Sequence, residues 1–123
     1  MTNYITFALT LAGALALANL SFGHAKLVTS LPAGGARLSE APHVLTLTFD
    51  EEVKLAKLTL ARDGTPITVN IDTAASGAKT VTVPVTPLTP GAYELHWTAL
   101  ATDDGHVTRG MFTFTVLAGA TAR

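Results

Sequence analysis

The 123-residue sequence contains no cysteine, few charged residues and a single tryptophan. The absence of cysteine excludes a disulfide scaffold, a thiolate zinc site, an iron–sulfur cluster and a cysteine nucleophile. The formal net charge of −1, from 8 Lys+Arg and 9 Asp+Glu, gives no electrostatic basis for nucleic-acid binding. A metal site in this chain must therefore use histidine, carboxylate, methionine or backbone ligands.

Residues 1–23 contain neither a charged side chain nor a histidine. Their apolar run, from Ile5 to Leu20, is shorter than the roughly 20 residues that a transmembrane helix needs. A short apolar segment followed by small residues is typical of a secretory signal peptide, although this one has no Lys or Arg at its start. We therefore predict a cleavable signal peptide over residues 1–23, with a retained membrane anchor as the alternative.

Two positions fit the small-x-small rule for signal-peptide cleavage. Cleavage after Ala18 would leave Asn19 as the first mature residue, and cleavage after Gly23 would leave His24. The local pattern does not decide between them. The choice matters because only the second gives the mature chain an N-terminal histidine.

The rest of the chain alternates apolar and polar residues with a period of two, and turn residues separate the segments. Seven short strands are predicted, at 26–30, 45–49, 58–60, 67–71, 81–85, 93–99 and 112–116. A loop is expected from Pro32 to Pro42, and a flexible tail over residues 119–123. This spacing favours an all-β, seven-stranded antiparallel Greek-key (immunoglobulin-like) β-sandwich, with Trp97 in the core between its sheets.

A metal site is suggested by the segment from Asp103 to His106, in the predicted loop before the last strand. Gly105 permits a tight turn, so Asp104 and His106 can point towards one centre. A carboxylate oxygen and an imidazole nitrogen suit Cu(II), which favours tetragonal N,O ligation. A hydrogen-bonded turn without metal is the alternative interpretation.

An N-terminal His24 would strengthen this hypothesis. Its α-amine and its ring Nδ1 can close a six-membered chelate on one metal ion, and the amine pKa of about 8 allows a metal to displace the proton. Together with His106 and Asp104 it would give three nitrogens and one oxygen. The alternative is that His24 only begins an ordinary strand.

The remaining polar clusters are first interpreted structurally. The acidic run Asp50-Glu51-Glu52 is expected to form a solvated turn. His43 and His96 are expected to be exposed, with an auxiliary role in metal binding left open for each.

Taken together, several motifs resemble the CopC family of periplasmic copper-binding proteins. They are His24-Ala25-Lys26-Leu27, the segment from Ser30 to Leu38, Ala41-Pro42 leading into 45–49, Pro90-Gly91-Ala92-Tyr93, Trp97, Asp104-Gly105-His106, and Gly110 with 112–116. Each motif alone is weak, but the combination is specific and extends along the whole mature chain.

The resemblance implies a Greek-key β-sandwich over residues 24–118 and cleavage after Gly23. It implies Cu(II) ligation by His24, Asp104 and His106, with Asp103 facing water or supporting the ligands. Some members also carry a methionine-rich segment for Cu(I). Because the mature chain has only Met111, it resembles a member that binds Cu(II) alone.

The function that the resemblance implies is a non-enzymatic periplasmic carrier of one Cu(II), for copper homeostasis, resistance or delivery to a CopD-type inner-membrane permease. Two alternatives stay open. One is a copper-brace oxidase, for which a single tryptophan and two tyrosines supply few aromatic residues for a sugar-binding surface. The other is a metal-free periplasmic interaction sandwich.

Overall fold

The computed structural model describes residues 25–122, and in that range it contains seven β-strands and no helix that could span a membrane. The strands are β1 (Leu27–Leu31), β2 (Arg37–Ala41), β3 (Val44–Arg62), β4 (Thr65–Ile67), β5 (Ala78–Pro84), β6 (Gly91–Ala101) and β7 (Val107–Ala122). The predicted signal peptide and His24 lie outside the described residues.

The long strand β3 takes part in two layers of the fold. Its first part, Val44 to Phe49, pairs antiparallel with β1 and β5. From Val53 onwards it pairs with β6, and its end pairs with the short β4. β6 then pairs antiparallel with β7. The predicted all-β sandwich is therefore confirmed.

A bulge explains why β3 is one strand where the sequence predicts two. Val53 and Leu55 are buried at odd positions, whereas Leu58 and Leu60 are buried at even positions. The register against β6 shifts between Leu55 and Lys57. An extra residue in one strand changes which positions face inwards, so the bulge keeps both apolar pairs in the core without ending the strand.

The core lies between the two layers and contains pairs of aromatic side chains. Trp97 on β6 is 5% exposed, and its ring meets that of Phe49 edge-on, with ring centroids 5.0 Å apart. Tyr93 and Phe114 stack with centroids 5.1 Å apart. Such aromatic pairs stabilise a fold beyond the area that they bury. The prediction that Trp97 fills the core is confirmed.

The edge of the sheet holds strands in two segments for which the sequence predicts none. The expected loop from Pro32 to Pro42 contains β2, which pairs in parallel with the end of β7. The expected tail at 119–123 is a strand as far as Ala122, because this parallel pairing gives its backbone hydrogen-bonding partners. The sequence gives no signal for β2, since its pairing depends on backbone groups and Leu38 is only partly buried.

The strand predicted at 67–71 is also shorter than expected, since β4 ends at Ile67. Val69 and Ile71 still pack partly buried against the core. The alternation therefore predicts their burial correctly, although their backbone is not paired in a sheet.

Gly110 on β7 lies directly opposite Trp97 in the sheet, and it offers a test of core packing. A Cβ at Gly110 would lie 2.8 Å from Cζ2 of Trp97 and 3.0 Å from Cε2, closer than side-chain atoms normally approach. We expect Gly110→Ala to lower the free energy of unfolding by about 1–3 kcal/mol, the usual cost of overpacking, as measured by urea denaturation.

Gly34→Ala is the matched control for this test. A Cβ at Gly34 would have Cβ of Phe112 as its nearest neighbour at 3.5 Å, an ordinary contact distance. Gly34→Ala should therefore leave the denaturation midpoint close to that of the native chain. Equal midpoints for the two variants would contradict the packing argument.

Candidate metal centre

The turn between β6 and β7 carries Asp104 and His106 and is held by its own backbone. Ala101 N–H donates to the carbonyl oxygen of His106 and Gly105 N–H donates to that of Ala101, each at 2.9 Å. Gly105 has a φ of 74°, in the left-handed region that favours glycine. The chain therefore forms a tight turn here, and His106 lies directly before the start of β7.

The Asp104 and His106 side chains are in direct contact. Asp104 Oδ2 lies 2.6 Å from His106 Nδ1, and Asp104 Oδ1 accepts a hydrogen bond from His106 N–H at 2.9 Å. Bonds first from the His106 backbone N–H and then from its ring hold the pKa of Asp104 below its ordinary value. The carboxylate therefore stays ionised, and both side chains remain partly exposed, at 34% for Asp104 and 55% for His106.

Asp50, Glu51 and Glu52 lie beside this turn, and we call these three residues together with Asp103 and Asp104 the acidic corner. Thr102 N–H donates to the carbonyl oxygen of Glu52 at 3.0 Å, which joins the turn to β3. The corner holds five of the chain's nine carboxylate side chains. Such a concentration of negative charge attracts cations.

The pKa of Glu51 is raised in the acidic corner. Desolvation raises its pKa, and the carboxylates of Asp103, Asp50 and Asp104 raise it further. The expected solvated turn at this run is wrong, because all three of its residues belong to β3. Sequence reasoning missed the proximity of Glu51 to Asp104, for which the only available signal is an acidic run directly after an alternating strand.

The start of the described chain is fixed to the acidic corner. Lys26 N–H donates to Asp50 Oδ1 at 2.8 Å, and Asp50 N–H donates to the carbonyl oxygen of Lys26 at 3.0 Å. Ala25 is 1% exposed. The residues that directly follow His24 are therefore anchored to the same segment of β3 that contacts the turn before Asp104.

The structure brings two of the three predicted ligands together, Asp104 and His106, while His24 lies outside the described residues. Between residues 25 and 122, no three His, Cys, Asp or Glu residues are grouped so as to hold a metal ion. His43 is exposed where β3 begins, and His96 is exposed in the middle of β6, opposite Met111. Ligation by His24, Asp104 and His106 stays a prediction.

Comparison with known proteins points to one family. Residues 27–117 match the CopC domain. Copper resistance protein C of Xanthomonas campestris pv. juglandis is 33% identical over 121 residues, which cover 90% of this chain and 93% of that protein. Protein YobA of Escherichia coli K12 is 33% identical over 100 residues, covering 77% of this chain and 80% of that protein.

A solved structure shares the fold as well as sequence. PcoC, described as a methionine-rich copper resistance protein from Escherichia coli, superposes with a TM-score of 0.61 at 28% identity. The match covers 76% of this chain and 99% of PcoC. The relatives whose names state a role are thus both associated with copper resistance.

Proposed function

The chain belongs to the CopC family, and on that premise we propose that it is a periplasmic, non-enzymatic carrier of one Cu(II). The proposed ligands are His24, as the first residue of the mature chain, together with Asp104 and His106. In this proposal copper is the cargo of the protein. The observation that carries it is the Asp104–His106 contact at 2.6 Å, beside the segment of β3 to which Lys26 is bound.

The donor set fits Cu(II) chemically. His24 supplies its α-amine and ring Nδ1, His106 an imidazole nitrogen and Asp104 a carboxylate oxygen. Nitrogen and oxygen donors in a tetragonal arrangement suit Cu(II), whereas Cu(I) favours soft thioether or thiolate ligands. The carboxylate that pairs with His106 Nδ1 is already ionised and can donate to a metal without first losing a proton.

The position of the chain start supports a role for His24. His24 is joined to Ala25, and consecutive Cα atoms are about 3.8 Å apart. Lys26, one residue further on, is bound to Asp50 through two hydrogen bonds. The tether that leads to the His24 amine is therefore short, and it begins at the acidic corner that also contains Asp104.

Removing the His106 imidazole tests the proposal. We expect the mature parent to bind one equivalent of Cu(II) and His106→Ala to bind at least about 10-fold more weakly, since loss of even an outer-shell partner costs about 10–100-fold in metal affinity. Competition titration with a chromophoric Cu(II) chelator measures both affinities. His43→Ala, which removes an exposed histidine directly before β3, is the control. Equal affinity for His106→Ala and the parent would refute the proposal.

Copper binding should also weaken as the pH falls. Protons compete with the metal for the imidazole nitrogens and for the α-amine, whose ordinary pKa is about 8. Asp104 contributes little to this change, because its pKa is lowered and it stays ionised over the same range. Between pH 7.5 and 6.5 the affinity for Cu(II) should fall roughly 10-fold. A pH-independent affinity would contradict a nitrogen-rich site.

The proposed carrier buffers Cu(II) in the periplasm or delivers it to a CopD-type inner-membrane permease. The exposure of the Asp104 and His106 side chains supports delivery, because an acceptor can reach them at the surface. Incubating the copper-loaded protein with a reductant and polysaccharide separates a carrier from a copper-brace oxidase, since only the oxidase generates oxidised sugar products.

A further inference from the structure

A row of three polar side chains crosses the outer face of the sheet formed by β3, β6 and β7. Lys57 on β3 pairs with Thr98 on β6, and Thr98 pairs in turn with Arg109 on β7. Directly paired residues of antiparallel strands point to the same face of a sheet. This face is the one away from the core, because the next residues along the strands, Leu58 and Trp97, are buried. Two cationic side chains therefore flank one hydroxyl group at the surface.

The row lines a surface hollow of about 430 Å³, a volume within the usual range for small-molecule sites. Hydroxyl, imidazole and thioether side chains complete the lining, from Thr59, His96 and Met111. Among residues 25–122, no carboxylate lines this hollow. Two cations together with hydroxyl donors suit an anionic ligand.

The two cations of the hollow lack carboxylate partners. Within the described part of the chain, neither Lys57 nor Arg109 makes an ion pair or a side-chain hydrogen bond with another residue. Glu94, the carboxylate nearest along β6, contacts the ring of His96 at 3.0 Å instead. Lys79, by contrast, lies among the carboxylates of the acidic corner. Positive charge at the hollow is thus left uncompensated, and such charge attracts anions.

We propose that this hollow binds a small organic dicarboxylate. Neighbouring strands are about 4.8 Å apart, so β3 and β7 are separated by about 9.5 Å with β6 between them. A ligand with a carboxylate at each end can bind the ammonium group of Lys57 and the guanidinium group of Arg109. The guanidinium group holds a carboxylate through two parallel hydrogen bonds. The Thr98 hydroxyl, midway between the cations, donates to the same ligand.

The apolar part of the lining favours an organic ligand over an inorganic oxyanion. Met111 is 47% exposed beside the row, and the aliphatic stems of Lys57 and Arg109 also face the hollow. These groups can contact the carbon skeleton that joins two carboxylates. A compact oxyanion such as phosphate has no skeleton to make those contacts.

This site goes beyond the copper carrier proposed above and does not depend on it, since the two sites share no residue. Lys57 and Arg109 lie far apart in the sequence, and only the strand register places them on either side of Thr98. Neither the charge count nor any local motif therefore indicates the site.

Titration of the copper-free mature protein with succinate tests the site, followed by two-dimensional heteronuclear NMR at constant ionic strength. We expect saturable shifts of the backbone amides of Lys57, Thr98 and Arg109. Acetate, which can bind only one of the two cations, should bind at least about 10-fold more weakly, and so should inorganic phosphate. Binding of either anion as tightly as succinate would overturn the assignment to a dicarboxylate.

Lys57→Gln combined with Arg109→Gln removes both exposed charges from the hollow. The double variant should bind succinate at least about 10-fold more weakly, because a hydrogen bond to a charged group contributes about that factor in affinity. Arg37→Gln combined with Lys79→Gln is the matched control, since it removes the same two charges outside the hollow and should leave the affinity unchanged. Unchanged affinity in the first double variant, or no saturable shift in the parent, overturns the site. Because copper is absent and its proposed ligands are intact, that failure is distinguishable from failure of the Cu(II) proposal.

Discussion

When His24 is joined to a preceding residue through a peptide bond, the chain should bind Cu(II) at least about 100-fold more weakly than when His24 is the first residue. A peptide nitrogen lacks the basic lone pair of an amine, so the chelate between the amine and ring Nδ1 cannot form. Loss of an outer-shell partner alone costs about 10–100-fold in metal affinity. Losing a donor together with its chelate ring should therefore lower the affinity for Cu(II) by at least the upper end of that range.

A carrier protein fused directly before His24 makes this experiment possible, since proteolytic release then leaves His24 as the first residue. The affinity for Cu(II) is measured at pH 7.5 before and after release. The same carrier fused after Arg123 is the control and should not weaken binding. Equal affinities before and after release would show that the amine is not a ligand.

The mass of the chain isolated from the periplasm provides a second readout. A chain that begins at His24 has the amine that the proposed site requires. A chain that begins at Asn19 lacks it, and that mass would remove the basis for His24 as a two-donor ligand.

Phe114→Ala should lower the free energy of unfolding by about 3–5 kcal/mol, the usual cost of truncating a buried phenylalanine. Phe114 is 1% exposed and stacks on Tyr93. The chain has no cysteine, so no disulfide offsets this loss. Because small domains are stable by only about 5–15 kcal/mol, the variant should lose about a third or more of its stability unless the native chain lies at the top of that range.

Urea denaturation followed by circular dichroism measures this loss. Phe112→Ala is the matched control, since it removes the same side chain from the same strand at a position that is only partly buried. Its midpoint should fall between those of Phe114→Ala and the native chain. If the two variants were equally destabilised, the stack on Tyr93 would not be the basis of the effect.

Side-chain alternation is sufficient to predict most of this fold. It marks the buried face of β6, where Tyr93, Leu95 and Trp97 are buried, and it indicates the same for the strand that holds Phe114. Alternation does not predict β2, because backbone hydrogen bonds hold this strand without an alternating apolar pattern. It also fails where a bulge changes the parity of buried positions, as in β3 near Leu55, because alternation alone treats that change as the end of a strand.

The geometry of the candidate metal centre can likewise be predicted from the sequence only in part. Asp104 and His106 can be predicted from sequence because they are two residues apart on either side of Gly105, and local geometry brings them together. The proximity of Glu51 to Asp104 cannot be predicted locally. It depends on the hydrogen bond between Thr102 and Glu52, residues that are 50 positions apart in the chain.

If copper binds at the Asp104–His106 pair as proposed, the partial exposure of this pair has a consequence for the rate at which copper leaves. Backbone hydrogen bonds fix the turn, while its two side chains face solvent. An incoming ligand can therefore coordinate copper at this surface before the outgoing ligands have released it. Exchange of this associative kind requires no opening of the fold, so transfer should be set by the concentration and chemistry of the acceptor. A site of this design can bind copper tightly at equilibrium and still exchange it rapidly.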